Sequence, residues 1–161
     1  MIEPLASFNT FELLAYFTPK LLAATLVGTV VGIEREIRHK VVGVKTNILI
    51  CAGSTLFTSI SFLLAGSGDP LRGVAQIVSG IGFLGAGAIF KTHDKVQGLT
   101  TAAFIWVVAA FGIIIGAGGL FIGVVLSLGL VLIVEALARI DHKVKHHYGK
   151  GKQCKPTASL D

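Results

Sequence analysis

The chain has 161 residues, 53% of them hydrophobic and only 14% charged, with a formal net charge of +5 and a mean hydropathy of +0.79. A soluble domain of this length carries roughly a quarter of its residues as charges, so this composition argues against an ordinary water-soluble fold. The charges are bunched, and the stretches between them have the length of membrane spans.

The first candidate span runs from about Lys20 to Glu36. Its uncharged run covers only 13 residues, but Lys20 can snorkel at one end and Glu34-Arg35-Glu36 can sit at the other interface. No positive region precedes it and no small-residue cleavage site follows, so a signal peptide is not expected. From Thr46 to Gly68 there are 23 residues without a charge, from Gly73 to Phe90 there are 18, and from Val96 to Val134 there are 39. One crossing takes about 20 residues, so the first two stretches each supply one. The third would be about 58 Å long as a helix, and Gly116-Ala117-Gly118-Gly119 near its middle is read as a tight turn between two spans.

The expected fold is therefore an all-α polytopic bundle of about five transmembrane helices, near 20–36, 46–66, 73–90, 98–115 and 119–138. A segment over 1–19 precedes it and a basic tail over 140–161 follows. Lysine and arginine in short loops are retained on the cytoplasmic side. With five spans, one side holds twelve of these residues and the other only Lys20 and Arg72. This bias places the N-terminus outside and the C-terminus in the cytoplasm. A four-span alternative without the first helix keeps the same sidedness downstream. The net charge then needs no nucleic-acid partner, because the basic side faces the anionic inner leaflet. Cys51 falls inside the second span and Cys154 in the tail, and both are expected to be free thiols.

The segment SGIGFLGAGAIF at 79–90 contains Gly80, Gly82 and Gly85 in the pattern G-x-G-x-x-G. A dinucleotide loop would have to follow a strand and precede an acid by about 20 residues. The only acid between Gly85 and Glu135 is Asp94, nine residues on. Small residues are also the main packing device between membrane helices. Gly82 and Ala86 form one small-xxx-small pair, and Gly28 with Gly32, Gly112 with Gly116, and Gly119 with Gly123 form others. The glycine-rich segment, with Gly80, Gly82, Gly85 and Gly87, is accordingly expected to be the central, closely packed helix. The alternative is a broken helix whose freed backbone groups line a cavity.

Asn47, Cys51, Ser54, Thr58 and Ser61 recur at spacings of 4, 3, 4 and 3, which puts them on one helical face. That face is read first as hydrogen-bonding glue between helices, at about 0.6 kcal/mol per contact, and second as a hydrated path. Glu34 and Arg35 form either an interface anchor or a charge site facing the bundle, with Lys45 or Lys91 as partners. Asp69 and Arg72 fit a helix start, with Asp as cap and Pro70 in the first turn. Gln76, one turn further on, needs a partner that this account does not supply.

His93 and Asp94 look like a metal fragment with too few ligands, and KTHDKVQGLT at 91–100 is read as a solvated turn. His142 and His146 stand at i and i+4 with His147 adjacent, on a helical extension to about His147, yet no third ligand lies at useful spacing. Glu135 with Arg139 and Asp141 with Lys145 are i,i+4 pairs that support a solvated helix, and the chain after Tyr148 is expected to be disordered. No nucleophile-base set, phosphate loop or paired-carboxylate site is present, so an enzyme is not expected.

Taken together, GIERE at 32–36, VGVKT at 42–46, DPLRGVAQIVSGIGFLGAG at 69–87 and VQGLTTAAFIW at 96–106 resemble the MgtC/SapB family of bacterial inner-membrane proteins. The resemblance runs from about Leu21 to Arg139. It implies a five-span inner-membrane protein linked to growth under magnesium limitation and, in some members, to survival inside host cells. Transport of magnesium and modulation of other membrane proteins are the two activities in contention. Lys45 stands where the family pattern commonly has arginine, and longer members carry a folded C-terminal cytoplasmic domain for which this chain has no room.

From polarity and these motifs, the candidate functional residues are Glu34, Arg35, Lys45, Asn47, Asp69, Arg72, Gln76, Thr100 and Thr101. The first functional expectation is a non-enzymatic membrane modulator that packs through its small-residue faces with a membrane protein partner or with itself, as a homo-oligomer and most simply a dimer. The second is a carrier or channel for Mg2+ or another divalent cation, which is held by oxygen ligands. For that role Glu34 and Asp69 are the metal candidates, gathered into a ring by a symmetric assembly. A third is a bundle that binds lipid or a small ligand along the polar stripe of the second span. No resident cofactor is expected beyond the possible Mg2+.

Overall fold

The computed structural model describes residues 9–65, 68–92 and 95–149, with side chains described as far as residue 140. His93, Asp94, Cys154 and the side chains of Asp141, Lys145, His142, His146 and His147 lie outside this description. Among the described residues five helices follow in order: α1 Thr10–Ile37, α2 Val44–Leu64, α3 Leu71–Gly87, α4 Leu99–Gly116 and α5 Leu120–Gly149. Four of them are long and apolar enough to cross a membrane, and α3, at 17 residues, is the shorter apolar helix. The architecture is an all-α membrane bundle.

Helix α1 begins ten residues before the expected first span. Asn9 and Glu12 form a capping box: Asn9 N–H donates to Glu12 Oε2 at 3.1 Å, and Phe11 N–H donates to Asn9 Oδ1 at 3.4 Å. Lys20 does not end the helix because it is buried with a partner, and Pro19 is accommodated inside it. At the other end His39, at φ 51°, closes the helix with Lys40 N–H on Arg35 O and His39 N–H on Glu36 O, a turn usually made by glycine. The segment read as a solvated turn is a short hairpin, with β1 Phe90–Thr92 antiparallel to β2 Lys95–Gln97. The third helix thus ends at Gly87, short of the expected Phe90.

The glycine turn after α4 is present as expected. Gly118, at φ +108°, lets Gly118 N–H reach Ile115 O and Gly119 N–H reach Ile114 O, the pairing that closes a helix C-terminus.

The central helix is α2, which packs on α1 and α4, while α5 lies against α1 and α4 and α3 lies against α4 and α2. Two glycine ridges clamp α2. On α1, a Cβ at Gly28 would sit 2.5 Å from Ile48 Cα and one at Gly32 2.5 Å from Val44 Cα. On α4, a Cβ at Gly112 would sit 2.5 Å from Cys51 O and one at Gly116 2.7 Å from Thr55 O. These backbones touch because no side chain intervenes, which is how membrane helices gain dispersion contacts that burial alone does not supply.

The central position expected of the GIGFLGAG segment falls to α2 instead. Helix α3 is unbroken and peripheral, with Gly85 its one buried residue. Nothing lies within 4 Å of a Cβ built at Gly80, Gly82 or Gly87, and Gly85 only reaches Ala102 at 3.7 Å. Of the eight glycines expected to pack, Gly28, Gly32, Gly112 and Gly116 make close backbone approaches within the chain.

Among the described residues the buried set holds ten polar or charged side chains beside eleven hydrophobic ones, while Leu22, Phe57, Phe83, Trp106, Phe121 and Leu132 are exposed. A soluble protein reverses that balance. In a bilayer the apolar exterior meets lipid, and the polar groups turn inward to find partners.

Candidate functional site

The buried charges gather at two ends of the bundle. Where α1 ends and α4 begins, Arg35 is 2% exposed. Its Nη2 donates to Thr101 Oγ1 at 3.0 Å, and its guanidinium carbon stands 4.3 Å from the centroid of the Phe104 ring. A guanidinium can stack on an aromatic face while its edge donates hydrogen bonds, and Arg35 does both toward α4. Its Nε has no hydrogen-bond partner among the described residues.

One residue earlier, Glu34 faces α5. Arg38 Nε lies 2.5 Å from Glu34 Oε1, and Arg38 Nη2 donates to Glu135 Oε2 at 2.5 Å. Arg139 Nε donates to the other oxygen of Glu135 at 3.1 Å. The Glu34–Arg38 contact is ionic by distance but misses hydrogen-bond alignment, so both buried oxygens of Glu34 lack a hydrogen-bonded donor among the described residues. A crevice of about 470 Å³ between α1 and α5 contains this Glu34–Arg38–Glu135 chain. The two acids hold one guanidinium between them.

At the opposite end Lys20, expected to snorkel outward, is buried, with its Nζ 2.9 Å from Gly116 O and 3.7 Å from the Tyr16 ring centroid. Gly116 O also accepts from Ser59 Oγ at 3.2 Å. Gly116 O is one of the last four carbonyls of α4, which have no helical donor of their own. A cation there also complements the negative end of the helix. Because two donors share one carbonyl, Lys20→Met and Ser59→Ala should each be tolerated better than their combination. The double variant, which orphans the carbonyl, should lose about 1–3 kcal/mol beyond the sum of the singles in reversible unfolding measurements.

The polar face of α2 is buried against its neighbours. Thr55 Oγ1 donates to Gly112 O at 3.0 Å and Ser59 Oγ to Gly116 O. These two interhelical donors were missed from the sequence, whereas Ser61, included there, turns back to Phe57 O at 2.8 Å. Thr55 and Ser59 at i,i+4 match Gly112 and Gly116 at i,i+4, and that correspondence was the available signal. Asn47 is fully buried and its Nδ2 donates to Gly43 O at 2.8 Å, fastening the α1–α2 connection, while its Oδ1 has no partner among the described residues.

The remaining sequence candidates do not join the charge cluster. Lys45 and Thr100 are exposed, and neither Lys45 nor Lys91 pairs with Glu34. Glu36 instead accepts Val44 N–H at 3.2 Å. Asp69 stands one residue before the N-cap of α3, which is Pro70 and not Asp69 as expected, and accepts Leu71 N–H at 2.9 Å, while Arg72 and Gln76 are exposed on α3. Asp69 lies between α2 and α3, at the end of the bundle opposite Glu34. One chain therefore cannot bring the two metal candidates together. Among the described residues, no group of three or more His, Cys, Asp or Glu is placed to hold a metal ion.

The profile of the MgtC family matches residues 21–143, which covers all five helices except the start of α1 and the end of α5. The chain belongs to the MgtC family. It is 44% identical to Protein MgtC of Brucella abortus (strain 2308) over 126 residues, which are 78% of this chain and 52% of that one. It is 46% identical to Protein SapB of Bacillus subtilis (strain 168) over 62% of this chain and 47% of the relative. A third relative, "Putative magnesium transporter YhiD" of Escherichia coli (strain K12), is 38% identical over 81% of this chain and 64% of its own length. The chain thus spans about half the length of the first of these relatives. No solved structure matches it. Family membership and the long apolar helices identify a multi-pass protein of the bacterial inner membrane.

Proposed function

We propose that this MgtC-family chain is a non-enzymatic inner-membrane protein of magnesium homeostasis, which acts as a modulator by packing against itself or a membrane partner. The observation that carries this reading is the closure of the bundle around α2. Glycine backbones touch it from both sides, and Thr55 and Ser59 spend their hydroxyls on α4 carbonyls. Lys20 and Arg38 are likewise engaged by partners within the chain. Such an interior resists a hydrated cation, and Mg2+ dehydrates reluctantly. The link to magnesium rests on the family and on the Escherichia coli relative named for magnesium transport.

The second reading, a divalent cation carrier, draws on Glu34 and Glu135. A divalent cation would have to displace Arg38 from between them. The two readings part in a flux assay with a Mg2+-sensitive dye trapped in liposomes containing the purified chain. The modulator reading expects entry no faster than in empty liposomes. Entry at least tenfold faster that is lost in Glu34→Gln, with folding intact, would replace it with the carrier.

A further inference from the structure

A second crevice, of about 430 Å³, opens between α2 and α3 on the side away from the charge cluster. It runs from Ser61 and Gly73 to Leu49 and Leu84, about 16–18 Å along the helices at 1.5 Å per residue. That length is close to one leaflet of a hydrocarbon core roughly 30 Å thick. The volume equals about fourteen water-sized volumes of roughly 30 Å³, enough for a single extended hydrocarbon chain. A helix of about 10 Å diameter would take up that volume within one turn, whereas a single acyl chain can fill the crevice along its length.

Two glycines hold the crevice open. Gly53 on α2 and Gly80 on α3 both line it, and a Cβ at either would meet nothing within 4 Å among the described residues. At Gly28 and Gly112, and at the mouth where Gly73 meets Ser61, glycine serves close contact. At Gly53 and Gly80 it makes room. The lining is otherwise mostly apolar, with Ser54 buried midway and Ser61 and Gln76 standing near one mouth. Ser61 has donated its hydrogen to Phe57 O and keeps accepting capacity.

Arg72, Gln76, Gly80 and Leu84 follow one another at i+4 intervals on α3, so they form one row along the helix. Read from the N-terminus, the row presents a cation, a hydrogen-bonding amide, an open space and an apolar side chain. A phospholipid has the same order: a phosphate, an ester carbonyl and an acyl chain.

We propose that the α2–α3 crevice binds one phospholipid, with an acyl chain over Gly53 and Gly80, an ester carbonyl accepting from the Gln76 amide and the phosphate beside Arg72. The site gives Gln76 the partner that the helix-start account of Asp69 and Arg72 leaves out. It is independent of whether the protein modulates a partner or carries an ion.

The test is native mass spectrometry of the purified, delipidated full chain titrated with a palmitoyl-oleoyl phosphatidylglycerol. The wild type should retain one lipid per chain. Gly80→Phe, which fills the space with a side chain, should lower that occupancy at least tenfold while leaving the thermal midpoint unchanged. Arg72→Gln should weaken binding several-fold and abolish any preference for the anionic lipid over neutral diacylglycerol. Equal retention by the wild type and Gly80→Phe would overturn the proposal, as would lipid binding indifferent to both variants. Loss of a dimer in Gly80→Phe without loss of lipid would assign the crevice to a second copy instead.

Discussion

Replacing Gly112 by alanine should destabilise the bundle by about 1–3 kcal/mol, the usual cost of forcing an extra methyl into a packed interior. The new Cβ would lie 2.5 Å from Cys51 O and 2.7 Å from Ser54 Cβ, so α2 and α4 must separate. The Thr55–Gly112 hydrogen bond lengthens with them. Gly82→Ala is the matched control, because a Cβ there meets nothing within 4 Å and alanine is favoured over glycine in helices by about 1 kcal/mol. Thermal unfolding in one detergent should therefore lower the midpoint for Gly112→Ala and hold or raise it for Gly82→Ala. Gly112→Leu should fail to give monodisperse protein. Equal midpoints for Gly112→Ala and Gly82→Ala would mean that the ridge on α4 does not clamp α2.

Removing Arg38 should be more damaging than removing the charge it neutralises. Arg38→Ala leaves Glu34, whose side chain is only 6% exposed, without its cation, and takes one of two arginines from Glu135. Breaking a buried ion pair from one side costs about 3–5 kcal/mol, and the 29% exposure of Arg38 places the effect at about 3 kcal/mol. Adding Glu34→Gln to Arg38→Ala removes the stranded charge and should restore most of the loss. A double-mutant cycle reads this as a coupling energy. Additive singles would mean that the Glu34–Arg38 contact carries no stability and that water reaches Glu34.

The helix count and the glycine turn were legible because charge-free runs report bilayer thickness directly, whereas the segment at 91–100, expected as a solvated turn, pairs as two short strands. Boundaries were less legible, since a criterion that stops at a charge stops at Lys20. In three dimensions that ammonium is absorbed by the end of α4, a helix 96 residues away in the chain, and no local pattern announces such a partner. Tyr16, one turn before Lys20, was a faint hint that the cation faces inward.

The glycines show the same limit from another side. Small-xxx-small spacing identified Gly28, Gly32, Gly112 and Gly116 correctly as contact points, yet it ranked the denser GIGFLGAG segment above them. Density of glycine measures how closely a neighbour can approach, and not whether a neighbour is there. Likewise, one helical face of α2 was recognised as polar, but Thr55 and Ser59, which donate across to α4, fell just off the counted positions. Glu34 reads from the sequence as an interface anchor or a charge site facing the bundle; its ion pair with Arg38 is an i,i+4 contact within α1, and only the second partner of Arg38, Glu135, depends on how α5 returns beside α1.

The closed interior around α2 is tested most directly at Cys51, a native thiol at the α2–α4 contact that is 0% exposed. With Cys154→Ser to remove the tail thiol, the chain is reconstituted in liposomes and treated with a membrane-impermeant maleimide, with unfolding in denaturant as the positive control. The closed bundle predicts that Cys51 stays unlabelled until the protein unfolds. Labelling of the folded protein would show water at the centre of the bundle, and would contradict the packed interior on which the modulator reading stands.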